Sequence, residues 1–152
     1  MTTPSKGQLR GGAEDVDYEI DMLMRTAAFL CGPPTGEDPI IRRAVLESWC
    51  VHLRCLIEFF HPTRRDTIRA EHYMADVGRW NRLCPVLNER ERRRRQALHQ
   101  LFAHIAIGRD ARKSGWREND QRIVTRRIPL FLSSLPTRRR SWFPNAANWF
   151  PL

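Results

Sequence analysis

Apolar residues recur at steps of three and four through most of this chain, and this spacing constrains its fold more than any other feature. The clearest example begins at Asp38-Pro39, an acid that can cap a helix followed by a proline suited to the first helical turn. The apolar face that follows, ending before Pro62, consists of Val45, Trp49, Leu53, Leu56 and Phe60. No segment shows the sustained polar–apolar alternation of a half-buried strand. The sequence therefore predicts an all-α protein.

Other segments repeat this pattern between glycine and proline breaks. Gly32-Pro33 is expected to end a first helix, and Pro85 to open a long one that Gly108 closes. We expect an antiparallel bundle of four to five helices. In it, Leu101 and Phe102 of the long helix are expected to pack against Trp49 and Phe60 of the second helix. The main predicted helices cover residues 14–31, 38–61, 85–107 and 119–135, with shorter turns between 62 and 85. Pro129 is expected to interrupt the last of these helices.

Composition predicts one domain with irregular ends. Residues 1–13 are polar and glycine-rich, and we expect them to be disordered. Residues 14–135 are predicted to form the helical domain, which at this length needs no disulfide or metal. Residues 136–152 are expected to be an irregular tail that carries two Trp-Phe-Pro repeats. The tail could dock on its own domain, enter a partner's groove or stack with bases.

Several classes of function receive no support. The cysteines at 31, 50, 55 and 84 lack the short paired spacings of a zinc site, so no metal is predicted. The chain has no glycine-rich phosphate loop or recognised catalytic motif, so no cofactor is predicted either. It also has no apolar run approaching the roughly 18 residues of a membrane span, and no export signal. We therefore expect a cytoplasmic protein without membrane contact.

The formal net charge of +9 favours polyanionic partners such as RNA, DNA or an acidic protein. The alternative is that arginine simply covers solvated faces, as in an arginine-rich proteome; Lys6 and Lys113 are the only lysines. Neighbouring acids such as Glu89 and Glu91 are compatible with that alternative. The candidate phosphate-binding residues are Arg92, Arg93, Arg95, Arg138, Arg139 and Arg140.

A second candidate site combines histidine and arginine. His52 and Arg54 lie on the second predicted helix, and His104 lies at the edge of the long one. If these helices pack antiparallel, the three side chains could share a groove and perform acid–base chemistry or bind phosphate. The alternative is that both histidines are core-edge residues satisfied by hydrogen bonds.

Arg54 and His61 have the R-x(4–6)-H spacing that marks the HEPN superfamily of small helical bundles. Other arginine–histidine pairs in the chain match this spacing as well. Many HEPN proteins are metal-independent ribonucleases, in which histidine and arginine assist attack by the ribose 2′-hydroxyl. This resemblance implies His52, Arg54 and His104 as catalytic residues, with His61 as an alternate, and a site that a homodimer would complete.

Residues 51–60 read Val-His-Leu-Arg-Cys-Leu-Ile-Glu-Phe-Phe, and residues 102–105 read Phe-Ala-His-Ile. Together they resemble a group of small uncharacterised bacterial helical proteins. The group's pattern is hydrophobic-His-x-Arg-x-Leu-x-Asp-Phe-Phe, followed by Ala-His-Leu-Thr on a later helix. The resemblance covers about residues 40–110 and again implies His52, Arg54 and His104. The chain departs from the pattern at Glu58, where aspartate is common, and at Ala106, which lacks the threonine hydroxyl.

Three functions remain open at this point. The first is a non-catalytic module that binds nucleic acid or an acidic partner through its arginines. The second is a HEPN-like ribonuclease that uses Arg54 with one of the histidines. The third is a structural or regulatory interaction protein, in which the same residues form a buried polar network.

Overall fold

The computed structural model describes residues 3–33, 36, 38–64, 66–103 and 121–151, and side chains of the fourth helix as far as residue 98. These residues form α-helices and one 3-10 turn, and they contain no strand, so the predicted all-α class is confirmed. The helical segments outnumber the four to five predicted. They are α1 (Lys6–Cys31), α2 (Pro39–Phe60), the 3-10 turn (Ala70–Tyr73), α3 (Val77–Leu83), α4 (Glu89–Ala103), α5 (Arg122–Thr125), α6 (Arg127–Ser134), α7 (Thr137–Arg140) and α8 (Pro144–Trp149).

The first helix begins at Lys6, so the prediction of a disordered segment over residues 1–13 is wrong from Lys6 onward. The Ser5 hydroxyl accepts a hydrogen bond from the Gln8 backbone at 3.2 Å, and the Gln8 side chain accepts one from the Ser5 backbone at 2.8 Å. This reciprocal pair is a capping box. Leu9 and Ala13 are buried, so the additional turns extend the apolar stripe of α1 into the core.

The glycines that suggested disorder include one with a packing role. A Cβ atom on Gly12 would lie 2.7 Å from Cδ1 of Ile68 and 3.0 Å from the hydroxyl oxygen of Tyr73. Both distances are too short for an unshifted side chain. Gly12 thus lets the segment after α2 approach α1 closely, and the Tyr73 hydroxyl donates to the Leu9 carbonyl at 2.9 Å.

Helix α2 has the predicted bounds. The Asp38 carboxylate accepts from the Ile40 backbone at 2.8 Å, Pro39 occupies the first turn, and the helix ends at Phe60. Helix α4 begins at Glu89 instead of Pro85, because Asn88 and Glu91 exchange backbone-to-side-chain hydrogen bonds of 2.9 Å at its start. Its predicted end at Gly108 lies outside the described residues.

Pro129 does not interrupt its helix as predicted. It lies in the first turn of α6, where its backbone nitrogen is not required for an intrahelical hydrogen bond. Helices α2 and α4 lie against each other, as expected: Arg95 contacts Glu58 at 2.7 Å, and Leu98 is buried. The side chains of residues 101 and 102, which were expected in the same interface, lie outside the described part.

An aromatic cluster forms the centre of the core. Phe131 of α6 has the central position, and its contacts are largely edge-to-face, the arrangement that aromatic rings favour. Its ring centroid lies 5.1–6.1 Å from those of Phe59, Phe60, Tyr73, Trp80 and Phe143. Because these residues come from α2, the 3-10 turn, α3, α6 and the segment before α8, the cluster joins distant parts of the sequence.

The C-terminal residues belong to the domain, so the predicted boundary at residue 136 and the predicted irregular tail are both wrong. Residues 137–140 and 144–149 are helical, and Phe143 and Ala146 are fully buried. The carboxylate of Asp17, itself 4% exposed, accepts from the backbone nitrogens of Asn145 at 3.1 Å and Ala146 at 2.8 Å. Of the three alternatives for the Trp-Phe-Pro segment, the structure therefore has it dock on its own domain. No helix within the described ranges is long and apolar enough to cross a membrane.

Candidate functional sites

His52 is buried between α1 and α2, and both of its ring nitrogens have partners. Nδ1 lies 2.7 Å from a carboxylate oxygen of Glu19, and Nε2 lies 3.1 Å from the hydroxyl of Ser48. The ring of Tyr18 packs edge-on at 5.9 Å. With both nitrogens engaged, His52 has no atom directed to a substrate and instead joins the two helices. Glu19 was missed in the sequence, although it directly precedes Ile20 of the apolar stripe and so is placed at the edge of the core.

Arg54 points away from His52. Positions two apart on an α-helix differ by about 200° of rotation, so these side chains leave opposite sides of α2. Arg54 is half-buried and lines a groove of about 590 Å³ between α1 and α2, to which His52 does not contribute. The predicted His52–Arg54 pair therefore does not share a groove in the structure, and His104 lies outside the described residues.

His61 caps the C-terminal end of α2 and lines a different cavity, of about 330 Å³, beside Trp80 and Cys84. Burial has the largest effect on the pKa of His61, and the nearby charges of Arg127 and Arg95 act in the same direction. Together they lower this pKa to about 4. Its Nε2 atom has no hydrogen-bond partner among the described residues. Although Arg54 and His61 match the HEPN spacing, the two side chains line separate cavities, and His61, at φ −135° and ψ 69°, has already left the helical conformation.

A buried ion network surrounds His61 and joins α2, α4 and α6. Arg127 is 1% exposed; its guanidinium donates to the carbonyls of Ile123 and Pro85, the latter at 2.9 Å, and lies 3.4 Å from Glu91. These partners offset much of the cost of burying the charge, although the Nε atom of Arg127 has no hydrogen-bond partner among the described residues. Arg127 is not among the predicted site residues, although it directly precedes Ile128 of the core.

The arginines predicted from the run at 92–95 have unequal environments. Arg92 and Arg93 are exposed, and both contact the carboxylate of Glu89, with nitrogen–oxygen distances of 3.2 and 3.0 Å. The hydrogen bonds from Arg93 and Arg92 lower the pKa of the Glu89 carboxyl. Arg95 is only 17% exposed in its side chain and contacts Glu58 at 2.7 Å. Arg95 therefore serves an interhelical ion pair, whereas its two neighbours remain on the surface.

The second predicted group lies on α7. Arg139 donates to the His72 carbonyl at 3.2 Å, and its guanidinium carbon lies 5.9 Å from the ring centroid of Trp142. Arg140 donates to two carbonyls at the C-terminal end of α6, at 3.2 and 3.3 Å. Arg138 is exposed and makes no hydrogen bond or ion pair with the described residues.

Two further exposed arginines were not identified as candidates. Arg122 and Arg126 are four residues apart along α5 and the start of α6, so they occupy one face. The signal that could have identified them is charge segregation. Residues 121–152 contain six arginines and not one aspartate or glutamate.

Within the described residues, no group of three or more histidine, cysteine or acidic side chains could hold a metal ion. No protein-family model matches the chain, and neither a curated protein nor a solved structure does. The resemblance to the bacterial helical proteins and to the HEPN superfamily therefore stays a prediction.

Proposed function

We propose that this protein is a non-catalytic helical module that binds nucleic acid through exposed arginines of its C-terminal third. We call Arg122, Arg126, Arg138 and Arg140 the arginine band. The observation that carries the proposal is the acid-free sequence from residue 121 to 152, in which these four side chains are exposed. Without neighbouring carboxylates to neutralise them, such guanidinium groups are suited to phosphate contacts.

Two members of the band, Arg126 and Arg140, lie at opposite ends of α6. Arg126 and Ser133 are seven residues apart, almost two full turns, and therefore share one helix face. The Arg140 guanidinium donates to the Ser133 carbonyl at 3.2 Å, which puts its charge at the other end of the same face. The helix is about 12 Å long, so the band can span several phosphates of one strand.

Charge elsewhere in the molecule favours the same surface. Helix α1 contains five acidic and three basic residues, in contrast to residues 121–152, which contain no acid. A polyanion approaching the protein would be repelled from α1 and attracted to the band. Phosphate contacts of this kind position a nucleic acid and do not read its sequence, so we expect affinity with little base preference.

The test is the salt dependence of binding to a fluorescently labelled single-stranded RNA, measured by anisotropy. Each phosphate contact contributes about 0.7 to the slope of log affinity against log salt for single strands. Replacing Arg122, Arg126 and Arg138 with glutamine should therefore reduce the slope by about 2. These three side chains make no hydrogen bonds with the described residues, so the fold should survive.

A matched control separates the band from net charge alone. The triple glutamine variant of Arg10, Arg43 and Arg79, which are exposed on other helices, removes the same total charge. It should leave the slope almost unchanged. An affinity independent of salt, or an equal effect of the two triple variants, would contradict the proposal.

Two further measurements on the same protein distinguish an acidic protein partner and the HEPN-like ribonuclease from this proposal. Tighter binding to polyglutamate than to RNA would instead favour an acidic protein partner. Cleavage of the RNA without added metal, abolished by Arg54→Ala in a variant that remains helical, would favour the HEPN-like ribonuclease. We expect the RNA to remain intact.

A further inference from the structure

The groove between α1 and α2 has the size and lining of a site for a small organic molecule. Its volume of about 590 Å³ is within the range of roughly 300–1,000 Å³ that such sites occupy. The floor is apolar, formed by Val16, Leu56 and Phe59 of the core together with Ile68 from the following loop. Val51 extends this apolar surface to the rim, where its side chain is 43% exposed.

Arg54 on the α2 wall differs from the other arginines that are withdrawn from solvent. It is half-buried, yet it makes no hydrogen bond or ion pair with the described residues. Every other half-buried or buried arginine in that part of the chain has an acceptor or another partner. These are Arg42, Arg69, Arg94, Arg95, Arg127 and Arg139.

Leaving a guanidinium partly desolvated and without a counter-charge is costly, because burial penalises a charge that nothing pairs. The acids of the groove do not pair with it. Glu19 contacts His52, and Glu58 accepts from Arg95 and Thr63. The guanidinium of Arg54 therefore faces the groove without a neutralising acid and is available to an anionic ligand.

The acids also limit what that ligand can be. Asp15 and Glu19 on the α1 wall would repel a molecule that carries several negative charges. One anionic group fits at Arg54, with Arg64 exposed at the rim, while an apolar body covers the floor. The planar guanidinium matches a carboxylate in a two-point hydrogen bond.

We propose that this groove binds a small amphipathic monocarboxylate, with its carboxylate on Arg54 and its apolar portion on Val16, Leu56 and Phe59. The site is independent of the arginine band, since no residue of the band lines the groove. Binding here therefore does not require that the protein bind nucleic acid.

The first test measures binding of decanoate, below its micellar concentration, by isothermal titration calorimetry. Arg54→Gln should weaken binding about tenfold or more, because charge-assisted hydrogen bonds are lost. Arg43→Gln, an exposed position on the same helix, should have no effect. Arg43→Gln should melt at the temperature of the parent and Arg54→Gln no lower, because neither side chain has a partner to lose among the described residues.

The choice of ligand tests the chemistry. Neutral 1-decanol should bind at least about tenfold more weakly than decanoate, since it cannot pair with the guanidinium. Tripolyphosphate should not displace decanoate. Equal binding of the alcohol, displacement by tripolyphosphate, or an unchanged affinity in Arg54→Gln would overturn the proposal.

The alkylation rate of Cys55 tests whether decanoate binds in this groove. Cys55 lines the groove beside Arg54, and the residue as a whole is exposed. Partial desolvation of its sulfur by the groove walls, and then the charge of Glu19, raise the pKa of its thiol to about 11. In a Cys31→Ser background, which removes the other exposed thiol, decanoate should slow alkylation of Cys55, measured by peptide mass spectrometry. Unchanged alkylation at saturating decanoate would place the ligand elsewhere and overturn the assignment.

Discussion

The docking of the C-terminal helix depends on one buried carboxylate. Asp17 of α1 accepts hydrogen bonds from two consecutive backbone nitrogens in the first turn of α8, at 3.1 and 2.8 Å. These nitrogens have no intrahelical partner, so Asp17 acts as a helix cap supplied by a distant element. Its negative charge also complements the positive end of the helix dipole. We predict that Asp17→Ala weakens this docking strongly.

The structure gives the magnitude of the effect. Each charge-assisted hydrogen bond contributes at least about 1.5 kcal/mol, so the loss of two amounts to about 3 kcal/mol. For a protein of this length, 1 kcal/mol corresponds to about 3 °C in Tm, and the variant should therefore melt about 9 °C lower. Asp21→Ala is the matched control. It removes an exposed contact to Arg25 and one to Trp149, and it should cost less than about 1 kcal/mol.

Circular dichroism gives the Tm of both variants, and hydrogen exchange monitored by mass spectrometry shows whether the loss is local. In Asp17→Ala the amides of residues 144–149 should exchange faster than in the parent, even if the remaining helices keep their protection. If Asp17→Ala is no less stable than Asp21→Ala and α8 exchanges as in the parent, the capping argument is wrong.

Two further predictions concern the histidines. Burial and two nearby arginines lower the pKa of His61 from 6.5 to about 4. Between these pH values the unfolded chain therefore binds a proton that the folded protein does not. The free energy of unfolding should fall as the pH drops from about 6.5 to about 4. Urea unfolding of His61→Asn should show a shallower fall over this range, and identical slopes would contradict the assignment. His52→Ala should cost about 2 kcal/mol, because it leaves the Glu19 carboxylate without its partner, whereas Ser48→Ala should cost about 1 kcal/mol or less. If urea unfolding shows almost no loss of stability in either His52→Ala or Ser48→Ala, then His52 does not stabilise the α1–α2 contact.

The helix boundaries illustrate which local signals are decisive. The start of α2 was predicted correctly because Asp38 and Pro39 act on the nearest turn and need no distant partner. The start of α1 differs from the prediction because the capping box of Ser5 and Gln8 stabilises the first turn despite the glycines that follow it. Both residues of this box are present in the sequence, three positions apart.

The candidate sites were harder to predict. His52 and Arg54 were predicted to belong to one site because they are close in sequence. Positions two apart on a helix differ by about 200° of rotation, however, so the two side chains lie on opposite sides of α2. What no spacing could reveal is that Glu19 satisfies His52 while Arg54 lacks such a partner among the described residues. The site at Arg54 becomes recognisable only when every neighbouring charge has been assigned.

The sequence by itself determined that the chain is helical, where α2 begins and ends, and that positive charge is concentrated after residue 121. Helical periodicity, capping and net charge are set by residues a few positions apart or by simple composition, and they are the same in any fold. The tertiary structure decided that the C-terminal segment is part of the domain, and that Asp17 caps a helix 128 residues further along the chain. It also decided which charges are neutralised. Ion pairing and burial depend on which helix faces meet, and that is fixed by packing of the whole core.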